Sequence, residues 1–325
     1  MLVIGQQVGI AMVPLCCDKR DVAQLYLLAL EEGIARDHVC RLIKQSGLAA
    51  AAGAVSPHWP WPIRLQTLGH VRIECDGAPI PTKRKQSRKP LDMLHLLAIA
   101  GDRGMPVAHI CMALWPDSDG DAARKSFDNT LHRLRKLLGG ERHVLLHSGN
   151  LSLNHGTCWT DLAALNACML ESAALDKACT VAQLTGLAER VLGLCQGELL
   201  PGRNDLPEVL GARDRIRSKF LRLMLSLGSK LEHAGEQNEA MLLYQCLIEQ
   251  QPLAEEAYRS LIRCHLALGH RAEAFEIYRR CRHHLSVVLN LAPSSETEVL
   301  VAPLRALQAA ASMRPPEPRA QGSAP

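Results

Sequence analysis

A repeat with a period of 34 residues constrains the fold of this chain more than any other sequence feature. When the sequence is compared with itself at that offset, similar residues pair between residues 227 and 278. The matching positions are Leu227 and Leu261, Gly235 and Gly269, Glu239 and Glu273, Ala240 and Ala274, Leu243 and Ile277, and Tyr244 and Tyr278. Because glycine, alanine and aromatic positions agree in one register, we interpret this similarity as a true structural repeat.

The repeat period identifies the kind of helical packing that this region adopts. Thirty-four residues is the length of a tetratricopeptide repeat, in which each unit is a pair of helices. Small residues such as Ala240 let paired helices approach closely, and Pro252 stands where such a repeat usually ends. Aromatic residues are only 3% of the chain and Leu and Ala are abundant, which favours helices over strands. We predict helices from Asp161 to about residue 308.

The region that precedes these helices has a different pattern of apolar and polar residues. It begins with apolar and polar residues in alternation, and Asp76–Gly77 supplies a turn. Three segments with helical spacing follow, and then a hairpin that we expect to turn at Gly149–Asn150. The predicted elements are strands at 63–68 and 71–75, helices at Pro90–Ala100, Pro106–Leu114 and Asp121–Leu138, and hairpin strands at 143–147 and 150–153. This order is that of a winged helix-turn-helix.

The last of the three predicted helices, Asp121–Leu138, carries the residues that favour DNA binding. Phe127, Leu131, Leu134 and Leu138 are spaced by four, three and four residues, so they share one face and should pack inward. The opposite face presents hydrogen-bond donors, and Arg, Lys and Asn are the side chains that read base edges or hold phosphate in a major groove. We predict DNA contacts from Lys125, Asn129, His132, Arg133 and Lys136, with Ser126 at the edge of this face.

Basic residues outside this helix extend the predicted DNA-binding surface. Residues 63–154 hold fourteen Lys and Arg against nine Asp and Glu, so this segment has a net charge of +5 in a chain whose total is +4. The run Lys83–Lys89 has five basic residues in seven, and we predict phosphate contacts from Lys83, Lys85 and Arg88. On the hairpin, His147, with Arg142 and His143, is expected to reach backbone or minor groove.

The same sequence offers little for catalysis. It lacks the phosphate-binding, dinucleotide-binding, nucleophile-elbow and zinc-protease motifs. Its twelve cysteines include no CxxC pair, so we interpret them as small apolar residues in a reducing cytosol. The four tryptophans flank the predicted winged helix and are expected to be packing residues. We predict no enzyme, no metal and no cofactor.

The terminal segments of the chain lie before and after these two regions, and we predict no binding or catalytic residues in them. Residues 1–17 carry no charge and read as a buried helix interrupted near Pro14, without the basic residues of a secretory signal. No other apolar run is long enough to span a bilayer, so we expect a cytoplasmic protein without membrane contact.

Two helices in 18–46 are too few to bury a core alone and should pack on something else or be a remnant of a larger domain. The linker 47–61 follows, and the tail 309–325 is expected to be disordered.

These residues resemble a known pair of bacterial domains. The stretch Ile63–Asn154, centred on KPLDMLHLLAIAGDRGMPVAHICMALWPDSDGDAARKSFDNTLHRLRKLLG, resembles the OmpR-type winged helix of transcriptional regulators. The segments that follow are similar to the bacterial transcriptional activator domain: LCQGELLP at 194–201, RDRIRS at 213–218 and PLAEEAYRSLIRCHLALGHRAEAFEIYRRC at 252–281. The pairing resembles that of the antibiotic regulatory proteins and their larger relatives, and it covers about three quarters of the chain.

The resemblance implies an architecture and a set of partners. It implies a mostly α chain with a small β component: a helical remnant of an upstream domain at 1–46, a winged helix at 62–155 and a tetratricopeptide-like activator domain at 156–308. Double-stranded DNA is the implied ligand, bound at tandem sites by a homodimer, and RNA polymerase is a candidate partner. Larger relatives carry an upstream ATPase that this chain lacks, so a shortened paralogue or a truncated reading frame is expected. The alternative function is a helical-repeat adaptor whose winged helix docks proteins.

Overall fold

The chain divides into two compact units. A computed structural model describes residues 18–51, 53–80, 88–175 and 179–312. The first unit combines Met1–Ala174 with Glu189–Ser218, and the second combines Leu175–Ala188 with Lys219–Pro325. Helices dominate and the sheets are small, which confirms the predicted fold class. In the described part of the chain, no helix is long and apolar enough to cross a membrane.

The described part of the first unit begins with two short helices, α1 (Lys19–Glu31) and α2 (Arg36–Ser46). The side chain of Asp18 caps α1 by accepting a hydrogen bond from the backbone N–H of Arg20 at 2.9 Å. The apolar faces of both helices pack against three buried tryptophans, Trp59, Trp61 and Trp159. The helical pair thus lies on the first unit, as expected for a piece too small to bury its own core.

Burial in α1 follows one helical face, and the segment after α2 differs from the sequence-based expectation of a linker. Leu25 and Leu28 are more than half exposed, while Val22, Tyr26 and Leu30 supply the buried face of α1. Trp59 and Trp61 are buried although they lie in the segment predicted as a linker, and the indole of Trp61 donates to the carbonyl of Ser56 at 2.8 Å. The predicted helix at residues 1–17 lies outside the described residues.

A four-stranded sheet follows, built from β1 (Ile63–Gln66), β2 (Arg72–Cys75), β3 (Ala78–Pro79) and the later β7 (Cys158–Thr160). The strand order is β3-β2-β1-β7, with β1 antiparallel to β2 and parallel to β7. Asp76 and Gly77 both have positive φ, which is the backbone of the tight turn predicted there. The alternating pattern therefore identified β1 and β2, but the three-residue β7 was not predicted.

Three helices and a second sheet complete the winged helix. The helices are α3 (Arg88–Ala100), α4 (Val107–Leu114) and α5 (Gly120–Leu137). The second sheet contains β4 (Met105–Pro106), β5 (Val144–His147) and β6 (Asn150–Leu153), in the order β4-β6-β5. The predicted helix bounds agree with these to within two residues, and β4 was not predicted.

A short segment late in the sequence joins the sheet of the first unit. Leu199 forms an isolated antiparallel bridge to Leu68, and the N–H groups of Gly69 and Leu200 donate to Glu198 and Thr67 carbonyls at 2.9 and 2.7 Å. A β-carbon on Gly69 would meet the backbone of Gln196 at 2.6 Å, so only glycine fits there. The LCQGELLP segment thus belongs to the first unit.

The helices that end the first unit and form the second are α6 (Asp161–Ala174), α7 (Val181–Leu194), α8 (Pro207–His233), α9 (Gln237–Gln250), α10 (Glu255–Ala267), α11 (Arg271–Leu289) and α12 (Ser295–Ser312). The repeat found in the sequence corresponds to the helix pairs α8–α9 and α10–α11. Gly235 and Gly269 end the first helix of each pair with positive φ. Tyr244 and Tyr278 are both buried, and their hydroxyls donate to Glu232 and Glu298 at 2.5 and 2.8 Å.

A carboxylate fixes α12 onto the preceding repeat. Oε1 of Glu255 accepts hydrogen bonds from the N–H and hydroxyl of Ser294, both at 2.7 Å, and from the hydroxyl of Thr297 at 2.5 Å. Burial alone would raise the pKa of Glu255, but the hydrogen bonds from Thr297 and Ser294 outweigh it and hold the pKa below its ordinary value. Glu255 is therefore a charged link between α10 and α12.

Candidate nucleic-acid interface

Helix α5 is amphipathic, and its apolar side is buried in the first unit. Phe127, Leu134 and Leu138 are fully buried, and Leu131 is nearly so, as the spacing predicts. The helix begins where the side chain of Asp119 accepts a hydrogen bond from the N–H of Ala122 at 2.7 Å. Its orientation about its own axis is thus set by the leucine stripe.

The opposite side of α5 is exposed and rich in hydrogen-bond donors. The predicted recognition residues lie there: Lys125, Asn129, His132, Arg133 and Lys136 are exposed, and Ser126 at the edge is half-buried. The acidic residue closest to this face, Asp128, forms an ion pair with Arg124 at 3.5 Å on the flank of the helix. The face therefore presents cations and neutral donors to solvent, as a major-groove helix requires.

The β5–β6 hairpin beside α5 forms the wing. Its turn is made by Ser148 and Gly149, which have φ of 49° and 76°, so the predicted turn at Gly149–Asn150 was wrong by one residue. Two consecutive positive φ values match the twist of the strands they connect. His147 is exposed at the end of β5, next to this turn, where the prediction placed it.

A second wing histidine does not have the role that its position in the sequence indicated. His143 is buried, and its Nδ1 lies 3.0 Å from the hydroxyl oxygen of Thr157. Arg142 donates to the other ring nitrogen of His143 at 3.1 Å. Burial, with the charge of Arg142, lowers the pKa of His143. The expectation that His143 contacts DNA is therefore wrong, because a buried ring cannot reach the nucleic acid.

The last two residues of the basic run Lys83–Lys89 begin α3 and contact other parts of the first unit. Lys83 and Lys85 lie outside the described residues, so their phosphate contacts stay predictions. Arg88 is exposed, but its guanidinium forms an ion pair with Asp205 at 2.8 Å. The ammonium of Lys89 donates to the carbonyl of Leu114 at 2.5 Å and lies over the ring of Trp115. The end of the run thus anchors α3 as well as adding positive charge.

Two contacts that the sequence did not indicate hold the wing in place. Nη2 of Arg135 donates to the carbonyl of Val144 at 3.2 Å, which ties α5 to the start of β5. The amide of Asn150 donates to the carbonyl of Arg103 at 2.8 Å, beside β4. No spacing in the sequence reveals these contacts, since both join segments whose proximity depends on the fold.

Comparison with known families identifies the C-terminal part of the chain. Residues 160–305 match the model of the bacterial transcriptional activator domain. The chain contains a bacterial transcriptional activator domain. This confirms the resemblance stated from the sequence, and the LCQGELLP segment and both repeats lie inside the activator domain as matched.

Two comparisons with whole proteins extend beyond the activator domain. The chain is 24% identical over 241 residues to the transcriptional regulatory protein EmbR of Mycobacterium bovis and of Mycobacterium tuberculosis. That alignment covers 72% of this chain and 61% of EmbR, so the chain spans less than two thirds of these relatives. The structure of M. tuberculosis EmbR in complex with a low affinity phosphopeptide matches with a TM-score of 0.58 and 21% identity, over 76% of this chain and 66% of that one. The shared fold is a winged helix followed by helical repeats.

Proposed function

We propose that this chain is a DNA-binding transcriptional regulator whose α5 enters the major groove of promoter DNA. The observation that carries this proposal is the division of α5 into a buried apolar face and an exposed face of Lys, Asn, His and Arg. The activator domain and the similarity to EmbR support regulation of transcription as the purpose of that binding, and activation as its direction.

Different residues of the exposed face are assigned different roles. Asn129 and Arg133 are one helical turn apart, so both can reach base edges from the same groove, Asn to adenine and Arg to guanine. Lys125, His132 and Lys136 surround them and are assigned to phosphate or to further base contacts, with Ser126 at the edge. His147 on the wing, Lys83 and Lys85 before α3, and Arg88 at the start of α3 are assigned to phosphate.

The helical repeats are assigned to protein contact. Stacked helix pairs form extended surfaces that suit partner binding. We propose self-association of this chain on tandem DNA sites, with RNA polymerase as a further candidate partner, because the activator domain accompanies a DNA-binding unit. Sedimentation of the chain on DNA with one or two selected sites tests the tandem arrangement.

Selection of bound sequences from a random DNA pool is the direct test. We expect the purified chain to enrich a short motif, repeated in the same direction at a fixed spacing. Because cations displace counterions from DNA, the affinity should fall steeply between low and moderate salt. If no fragment is retained even at low salt, the winged helix does not bind DNA and the adaptor function becomes the better explanation.

Substitutions on α5 should separate reading of bases from general attraction to DNA. We expect Asn129→Ala and Arg133→Ala each to reduce the preference for the selected site over random duplex by about ten-fold, since a good bidentate contact contributes about 1–3 kcal/mol. Lys83→Ala and Lys85→Ala should instead lower the affinity for the selected site and for random duplex by the same factor. Arg41→Ala, an exposed arginine on α2, is the matched control and should change neither affinity. Equal losses on both duplexes for all four variants would contradict the assignment.

A further inference from the structure

A small cavity opens on the surface of the second unit, between α8, α9 and α10. Its volume is about 240 Å³. The side chains that define its chemistry are Leu225 and Ser229 of α8, Tyr244 of α9, and Glu256, Arg259 and Arg263 of α10. None of these residues belongs to the winged helix, so the cavity and the proposed DNA interface share no residues.

The two arginines of this cavity differ in how their charge is balanced. Arg259 is largely buried and is held by Glu296 at 3.1 Å, by Glu255 at 3.9 Å and by the hydroxyl of Ser294 at 3.2 Å. Arg263 is exposed, and its hydrogen bond goes to the uncharged hydroxyl of Ser260 at 2.9 Å. Arg263 therefore keeps a positive charge at the mouth of the cavity that this contact does not neutralise.

The rim of the cavity continues along α8 with the same sign of charge. Arg222 is exposed and lies three and seven residues before Leu225 and Ser229, which is the spacing of one helical face. The hydroxyl of Tyr244 is already bonded to Glu232, so the ring of Tyr244 and the side chain of Leu225 give the interior an apolar part. Glu256, which is exposed, is the acidic side chain on the lining.

We propose that this cavity and its basic rim bind an acidic peptide segment of a protein partner. The guanidinium groups of Arg222 and Arg263 match carboxylates geometrically, and one apolar side chain of the peptide fits the interior beside Leu225. A DNA duplex is too wide to enter a cavity of this volume, whereas a single peptide side chain can. The inference rests on the partner-binding role proposed for the repeats, and it is independent of DNA binding by α5.

Fluorescence anisotropy with the full chain tests this site. The probe is a labelled synthetic peptide in which Asp and Glu surround one Leu, and its neutral counterpart has Asn and Gln in their places. We expect the acidic peptide to bind and the neutral one to bind far more weakly. Arg263→Gln should weaken binding by about ten-fold, the usual effect of losing one charged hydrogen bond. Glu256→Gln should tighten binding, because it removes a like charge from the lining.

Loss of folding would weaken peptide binding in both variants. Opposite effects of Arg263→Gln and Glu256→Gln on the affinity therefore cannot result from loss of folding. Two controls remove the same charges at other exposed positions: Arg282→Gln on α11 removes a positive charge, and Glu249→Gln on α9 removes a negative one. Both should leave the affinity for the peptide unchanged. Equal binding of the acidic and neutral peptides overturns the proposal, as does an unchanged affinity in both cavity variants. Displacement of the peptide by duplex DNA, with equal loss of DNA affinity in Arg263→Gln, also overturns it. Because the peptide arm contains no DNA, its result stands whether or not α5 binds DNA.

Discussion

Gly228 shows how packing can outweigh helix propensity at a single residue. Alanine is a better helix former than glycine by about 1 kcal/mol. In α8, however, a β-carbon on Gly228 would overlap the ring of Tyr244. We expect Gly228→Ala to lower the free energy of unfolding by about 1–3 kcal/mol, measured by urea denaturation with circular dichroism. Gly211→Ala on the same helix would meet only the end of the Arg215 side chain, at 3.3 Å, and should not destabilise. Equal losses in both variants would contradict this explanation.

Exposed and buried positions on α5 could be predicted residue by residue, because a helix repeats with a fixed period and burial follows that period. Residues whose partners are distant in sequence could not. Arg135 and His143 look like surface groups in the sequence, yet one positions the wing and the other is buried against Thr157. Their environments depend on which segments the fold brings together, and local spacing carries no such information.

At the scale of elements, the attachment of α12 to α10 should depend on pH. The pKa of Glu255 lies below its ordinary value of 4.5, so the charged form stabilises the folded state. That contribution is complete above about pH 4.5 and is lost as the pH falls through the lower, folded-state pKa. Near neutral pH, we expect the free energy of unfolding to be larger for the wild-type protein than for Glu255→Gln. This difference should shrink in acid. Glu276→Gln, which removes an exposed ion pair with Arg279, is the control.

Long elements with a clear period were predicted well, and short ones were missed. The helices α3, α4 and α5 were found to within two residues, and the 34-residue repeat identified the α8–α9 and α10–α11 pairs. The strands β4 and β7 contain two and three residues. Such strands exist because a partner strand offers hydrogen bonds, so their own residues show no alternation to detect.

At the scale of the whole molecule, tryptophan fluorescence should report on the first unit alone. All four tryptophans lie within Met1–Ala174, and three pack against α1 and α2. Val39→Ala leaves a cavity in this cluster. It should lower the free energy of unfolding, measured by tryptophan fluorescence, by about 2 kcal/mol. Leu28→Ala changes an exposed leucine of the same helical pair and should have no effect. An unchanged midpoint for Val39→Ala would mean that α1 and α2 contribute nothing to the stability of this unit.

The bridge between Leu68 and Leu199 bears on how the gene can be divided for expression. A fragment that stops at residue 160, where the activator-domain match begins, leaves the Gly69 N–H and the Thr67 carbonyl without their partners at Glu198 and Leu200. It also removes Asp161, whose carboxylate accepts hydrogen bonds from the N–H of Leu68 at 2.7 Å and the hydroxyl of Thr67 at 2.8 Å. Plasmids for the winged-helix unit should therefore encode residues through Ser218, although that includes about two fifths of the neighbouring homology region.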